Sequence, residues 1–247
     1  MSAPKLSLEQ LTKRRFKLRD VFNKVGSKVS PFYSPSLAIR SPPKPRDVSI
    51  AALLAAQAHL GHATSLWNPM NQPFIYGIRN GIHIISLDKT LVFLRRAINV
   101  IQEVARTKGI ILFVGTKPGQ KLSVMAAAKR CNGYFIFNRW VPGLLTNAKT
   151  VQPTLGGSLK TVDQDGKEVR APTPSFLYPD LIVILNPLEN INVCKEAQRV
   201  SVPTIGIVDT NVDPRLVTYP IPANDDSLRC SDLIVGLLSQ AACEGMD

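Results

Sequence analysis

The chain has 247 residues, enough for one substantial domain with an extension, and its 45% hydrophobic content fits a packed core. It lacks any uncharged apolar run of about eighteen residues, so no membrane span is expected. The net charge of +12 is unevenly placed: residues 1–48 carry 11 Lys/Arg against 3 Asp/Glu, and residues 49–247 carry 19 against 15.

Residues 1–48 divide in two. Ser7–Asn23 reads as a basic helix with Leu11, Phe16, Leu18, Val21 and Phe22 between its cations. Ser30–Pro45 holds five prolines, which sustain neither helix nor ladder, and reads as an extended arm. The stretch is rich in Lys and Arg, poor in acids, and has no apolar signal core. That composition suits a mitochondrial presequence, and equally a retained tail that orders on RNA or on a neighbouring protein. Lys13, Arg14, Arg15, Lys17, Arg19, Arg40, Lys44 and Arg46 are its candidate RNA contacts. A basic excess raises affinity for polyanions, but charge alone does not choose between nucleic acid and a membrane surface.

A domain is expected over 49–247. Asp47 or Ser49 caps an Ala/Leu-rich helix ending at Gly61. Gly81–Leu87 reads as a strand, and Asp88 caps a long helix, Lys89–Thr107, with Leu91, Leu94, Ile98 and Ile101 on one face. Strands follow at Gly109–Val114, Tyr134–Phe137, Asp180–Leu185 and Pro203–Val208. Helices are expected at Gly119–Arg130, Glu189–Val200 and Ser227–Cys243. Leu155–Tyr178, with three glycines and two prolines, reads as an irregular loop or a hairpin turning at Asp165-Gly166. Cys131, Cys194, Cys230 and Cys243 are dispersed and form no disulfide framework; buried reduced thiols are expected.

Continuous apolar strands alternating with helices predict an α/β fold, three-layer and doubly wound, around a mostly parallel sheet. In such folds ligands gather beyond the carboxyl ends of the strands. The informative loops therefore follow Leu87, Val114, Phe137, Leu185 and Val208.

The fold invites an enzyme, and the motifs argue against one. No G-x-G-x-x-G follows a strand. Gly115 and Gly119 sit one residue too close for a phosphate loop, and no Lys-Ser/Thr follows Gly119. His59 and His62 have metal-ligand spacing, but Gly61 lies between them and no third ligand adjoins, so packing or hydrogen bonding is the expected role. Cys131 with His83 is only a compositional pair. Asp225 and Asp226 fit a helix cap better than paired carboxylates or a magnesium site. No catalytic set, metal or cofactor is expected. The same loops suit RNA: Arg139-Trp140 after a strand, Lys117 and Lys121 around Pro118–Gly119, and Arg79 in the turn before a strand offer scattered point contacts.

The motif series gives this reading a family. His59-Leu60-Gly61-His62, Trp67-Asn68-Pro69-Met70, Ile75-Tyr76-Gly77 and Arg79-Asn80-Gly81-Ile82-His83-Ile84-Ile85 come first. Phe113-Val114-Gly115-Thr116-Lys117 and Asn138-Arg139-Trp140-Val141-Pro142-Gly143-Leu144-Leu145-Thr146-Asn147 follow, then Glu196-Ala197. Val208-Asp209-Thr210-Asn211-Val212-Asp213-Pro214 and Tyr219 through Asp226 close the series. In this order, over about residues 49–240, it closely resembles the ribosomal protein S2 family, in its bacterial and organellar branch.

The resemblance implies a flavodoxin-like domain near the head–body junction of the small ribosomal subunit. It also implies binding to small-subunit rRNA and neighbouring ribosomal proteins, and a part in translation rather than catalysis. By motif position, Lys117, Arg139, Trp140, Asn147, Asn211, Asn224 and Asp225 become candidates for structural or RNA-facing roles. Two features depart from the bacterial pattern: the long coiled-coil insertion after Thr-Asn has no room between Thr150 and Pro179, and residues 1–48 are additional. With the presequence-like composition they point to a mitochondrial member, in the matrix. The alternatives are a bacterial or plastid counterpart, or an α/β nucleotide-binding enzyme reusing the fold.

Overall fold

The computed structural model describes residues 12–15, 17–18, 39–155, 160–162, 168–170 and 178–246. The chain divides into two compact units, Met1–Ser34 and Pro35–Asp247. In the first, residues 12–15 and 17–18 are helical, with Lys13, Arg14, Arg15 and Lys17 exposed. The remainder of the expected Ser7–Asn23 helix, Arg19, and the arm up to residue 38 lie outside the described residues.

The second unit begins its described course at residue 39, and the chain ahead of the expected 49–247 domain already packs there. Pro45 and Val48 are buried, and Val48 joins the main core. Ser49 accepts a hydrogen bond from Ala52 N (3.3 Å) and caps α1, Ile50–Ala55. This helix does not run to Gly61 as expected. Gln57 takes a left-handed conformation (φ 62°), and Ala58 N donates to Leu53 O while Gln57 N donates to Leu54 O. Those bonds stop the helix several residues early.

Three strands then form a separate antiparallel sheet of order β1-β3-β2: β1 Leu60–Ala63, β2 Ile75–Arg79 and β3 Ile82–Ile85. Ile82–Ile85 was expected to join the parallel sheet. Its two-residue connection, Asn80-Gly81, has φ of 51° and 75°, and such a turn returns the chain antiparallel. Next, α2, Leu87–Arg106, buries Leu94, Ala97, Ile98, Ile101 and Ala105. Asp88 is not its cap; Ser86 holds that position, and Asp88 lies inside the first turn, where the helix dipole favours a carboxylate.

The main sheet contains β4 Ile111–Val114, β5 Tyr134–Ile136, β8 Leu181–Ile184, β9 Thr204–Val208 and β10 Tyr219–Pro222, after the short pair β6 Lys160–Val162 and β7 Glu168–Arg170. Its order is β10-β9-β8-β4-β5 with every pairing parallel. Counted along the chain this is 2-1-3-4-5, the flavodoxin-like order, with its switch point between β4 and β8. Strand β10 was not among the expected strands; it carries Pro220 and Pro222, which an edge strand tolerates.

Alternate residues of the strands face opposite layers. Ile111, Phe113, Leu181, Val183, Ile205 and Ile207 meet α2, α3 (Lys121–Arg130) and α6 (Leu228–Met246). Leu112, Val114, Ile182 and Ile184 meet α5, Ile191–Val200, and the Trp140–Leu145 loop. That is the expected three-layer arrangement. A further helix, α4, Ala148–Leu155, precedes β6, which pairs antiparallel with β7; the turn between them lies outside the described residues. Cys131, Cys194 and Cys230 are buried and all four thiols are free. Among the described residues no helix is long and apolar enough to cross a membrane.

Candidate nucleic-acid interface

The carboxyl ends of β4, β9 and β10 carry a charged cluster built from four separate segments. Lys117, after β4, places Nζ 2.8 Å from Asp226 Oδ1 and 3.2 Å from Asp225 Oδ1, and donates to Asp225 O at 3.3 Å. His62, from β1, has Nδ1 3.1 Å from Asp209 Oδ2 and Nε2 3.2 Å from Asp226 Oδ2. Asp209 and Asp225 are buried. Burial pushes the Asp225 carboxyl up to about 6. Burial also opposes the Lys117 ammonium, but Asp226 and Asp225 outweigh it and its pKa is raised. The hydrogen bond with Asp209 raises His62, with Asp226 and Asp225 adding to it against burial. The bond from Lys117 holds Asp226 low.

His62, Asp209 and Asp225 each offer one atom that a cation could share. Lys117 already brings positive charge to these carboxylates, and His62 adds its own when protonated. The cluster therefore acts as an internal electrostatic tie between the two sheets. Asp225 and Asp226 do not cap the last helix as expected. Asn224 Oδ1 accepts from Asp226 N and Ser227 N, and Ser227 Oγ accepts from Cys230 N.

Gly61 is needed here for close approach rather than for ending a helix. A Cβ on it would lie 2.6 Å from Thr210 Cγ2 and 3.2 Å from His83 O. Its neighbour His62 N donates to Thr210 Oγ1 at 2.9 Å. Asn71, buried, bonds the carbonyls of Asp209, Thr210 and Val212 and fastens the same loop. Gly61→Ala is expected to lower stability by about 1–3 kcal/mol through overpacking. Thr210→Ser, which removes the clashing methyl and keeps the hydroxyl, should restore part of it in urea unfolding.

At the switch point, Asn186 Nδ2 donates to Thr116 Oγ1 (2.8 Å) and Glu189 Oε2 (2.7 Å), and Asn190 Nδ2 donates to Thr116 Oγ1 (2.9 Å). These polar groups satisfy one another, leaving no convergent nucleophile and base. Cys131 Sγ is bonded to Ala127 O, so the Cys131–His83 pairing finds no support in that contact.

Arg139 is exposed beside this network, with no carboxylate partner among the described residues. The adjacent Trp140 is only 5% exposed, and its indole N–H donates to Glu196 Oε1 at 3.2 Å. Its ring packs in the second core, so Trp140 is structural and offers no face to an RNA base. Glu196 also accepts from Gly143 N (2.8 Å) and Leu145 N (3.1 Å). One buried carboxylate thus holds the loop that presents Arg139.

Of the other candidates, Arg79, Lys121 and Asn147 are exposed. Lys121 Nζ sits 4.5 Å over the Phe137 ring, a cation–π contact that keeps the ammonium at the surface. Asn224 is buried and donates to Gln57 O; Asn211 is half-buried, with an enclosed, unpartnered side-chain oxygen. Arg40, Lys44 and Arg46 are exposed, and the last two line an open groove with Arg106 and Glu244. The structure brings Lys117, Asn224 and Asp225 together and leaves Arg79, Lys121, Arg139 and Asn147 as separate surface points. Sequence reasoning missed Glu196 as an anchor and the contacts of His62 with Asp209 and Asp226, in which the partners lie 51 or more positions apart.

The profile of the family described as Ribosomal protein S2 matches residues 53–175 and 173–245. The chain is 62% identical over 243 residues to small ribosomal subunit protein uS2m of Schizosaccharomyces pombe, covering 98% of this chain and 92% of the relative. It is 48% identical to uS2m of Neurospora crassa over 90% of this chain, and spans about half (52%) of that longer relative. Small ribosomal subunit protein uS2 of the bacterium Dehalococcoides mccartyi is 36% identical over 81% of this chain and 91% of its own length.

Proposed function

Because the chain belongs to the ribosomal protein S2 family, we propose that it is a structural constituent of the mitochondrial small ribosomal subunit, serving translation and not catalysis. The similarity of nearly the whole chain to a protein named as the mitochondrial member carries this reading. Its α/β domain binds small-subunit rRNA and neighbouring ribosomal proteins near the head–body junction. The point cations Arg79 and Arg139, held on short, internally bonded loops, suit recognition of folded RNA by shape. The basic extension, residues 1–48, adds a counterion-releasing arm over RNA or an adjoining protein. The lower identity to the bacterial relative disfavours a bacterial counterpart, and the self-satisfied polar groups at the switch point disfavour an enzyme.

Sedimentation of a mitochondrial lysate tests the reading. The expected result is co-migration with small subunits that is lost at high salt. A free species that binds nucleotides instead would overturn it. Arg139→Ala is expected to weaken binding to an in vitro transcript of the small-subunit rRNA and to reduce the salt slope by about 1, without lowering the melting temperature. Removing residues 1–34 should weaken incorporation and its salt sensitivity; unchanged values would remove the arm's role.

A further inference from the structure

The small antiparallel sheet has a face that the charged cluster does not use. A pocket of ≈530 Å³ opens there, lined by Thr64, Trp67, Gln72, Tyr76, Ile78 and His83, among others. Tyr76 is 82% exposed and Ile78 62%, both on β2, the outer strand of its sheet. A large aromatic ring left this far in water on a paired strand contributes little to the core. The half-buried Trp67 stacks against His83 with ring centroids 5.4 Å apart, tilted by 43°.

His83 supplies the independent sign of a ligand. The residue is only 4% exposed, it lines the pocket, and neither ring nitrogen has a hydrogen-bond partner. Burying an imidazole with both nitrogens idle is costly unless something outside the chain completes them. A packed apolar site would not place a histidine at that position.

We infer that this pocket receives an unstacked nucleobase of the small-subunit rRNA, with Tyr76 as stacking surface and His83 as hydrogen-bonding partner to the base edge. The inference rests on the ribosomal reading above and names one of its contacts. Splayed bases are recognised by this combination of aromatic faces and polar edge groups. Charge favours RNA over a protein side chain. From Val48 to Leu87 the chain contains no Asp or Glu, and exposed Arg79 closes the strand that carries Tyr76 and Ile78. A surface meeting phosphates avoids carboxylates over such a stretch, whereas one meeting a basic ribosomal protein gains from them.

The test uses the full chain and an in vitro transcript of the mitochondrial small-subunit rRNA. Tyr76→Ala should weaken transcript affinity roughly tenfold, the loss expected from removing one stacked base. The salt slope and melting temperature should stay unchanged, since no ion pair or buried contact is removed. Tyr76→Phe should restore the affinity. Ultraviolet cross-linking should join a base to the tryptic peptide 47–79. Tyr76→Ala binding like wild type, with no cross-link in that peptide, overturns the proposal. So does a variant that keeps its RNA affinity but loses a neighbouring ribosomal protein, because the pocket then holds a protein side chain. A wild-type chain that binds the transcript and sediments with small subunits keeps the ribosomal reading when the pocket fails. One that does neither removes both.

Discussion

Glu196→Ala is expected to destabilise the chain by about 3 kcal/mol, because it leaves three hydrogen-bond donors without their shared acceptor. The Trp140 indole and the amides of Gly143 and Leu145 all bond this one buried carboxylate. Trp140 is 5% exposed and Leu145 2%, both in the second core, so water replaces the lost acceptor poorly at either donor. For a domain of this size the loss corresponds to a fall of roughly 10 °C in melting temperature. Glu196→Gln keeps one acceptor oxygen and introduces a donor facing other donors, so it should recover only part. The consequence for function follows from the same geometry. The loop carries Arg139, so transcript affinity should fall in Glu196→Ala even at temperatures where the domain remains folded. An unchanged melting curve would mean that the loop holds its position without the carboxylate.

Lys117→Ala should cost a similar amount, about 3 kcal/mol, since removing one partner of an enclosed ion pair leaves the other charge uncompensated. Asp225 is 2% exposed and depends on the Lys117 ammonium at 3.2 Å; Asp226 loses its 2.8 Å contact with Lys117, and both stand near Asp209. Asp225→Asn in the same chain should recover part of the loss, and the double-mutant cycle measures the coupling. Full additivity of the two single changes would show that the pair is not coupled.

The cluster also sets a pH dependence whose sign is determined. The Asp225 carboxyl binds its proton more tightly in the folded chain, at about 6, than at its ordinary 3.8. Its contribution to stability therefore declines as pH rises from about 4 through 6. His62 is also raised, above 6.5. The stability it adds is complete below 6.5 and is lost as pH climbs through its folded value. Asp226 is lowered and acts in the opposite direction only at acid pH, below its ordinary 3.8. The stability difference between wild type and His62→Gln should thus narrow above pH 6.5, and that between wild type and Asp225→Asn should narrow between 4 and 6.

Much of the architecture was legible because it is local. Apolar runs such as 111–114 and 181–184 are buried on both faces, which is how strands of a covered parallel sheet read. The stripe of Leu94, Ile98 and Ile101 marked α2. Where expectations failed, a nearby residue took a conformation that residue type alone does not specify. Gln57 adopted a left-handed cap, and Pro220 and Pro222 were accommodated at a sheet edge.

The candidate site was legible only in part. Residue type and motif position named Arg139, Trp140, Lys117 and Asp225, but not which would face inward. That depended on partners far along the chain. Glu196, 56 positions away, draws Trp140 into the core and leaves Arg139 outside, while Asp225 and Asp226 engage Lys117, more than a hundred positions away, rather than capping α6.

By itself, then, the sequence determined the family, the three-layer α/β class and the segregation of basic charge into residues 1–48. All three reside in residue types, short-range periodicity and motif order. The tertiary structure alone decided that His62, Lys117 and three aspartates form one internal tie, and that Tyr76 and His83 share an open pocket. Such groups meet only when separate strands are brought together. Whether a polar side chain ends as an anchor or a contact depends on burial, which no single segment carries.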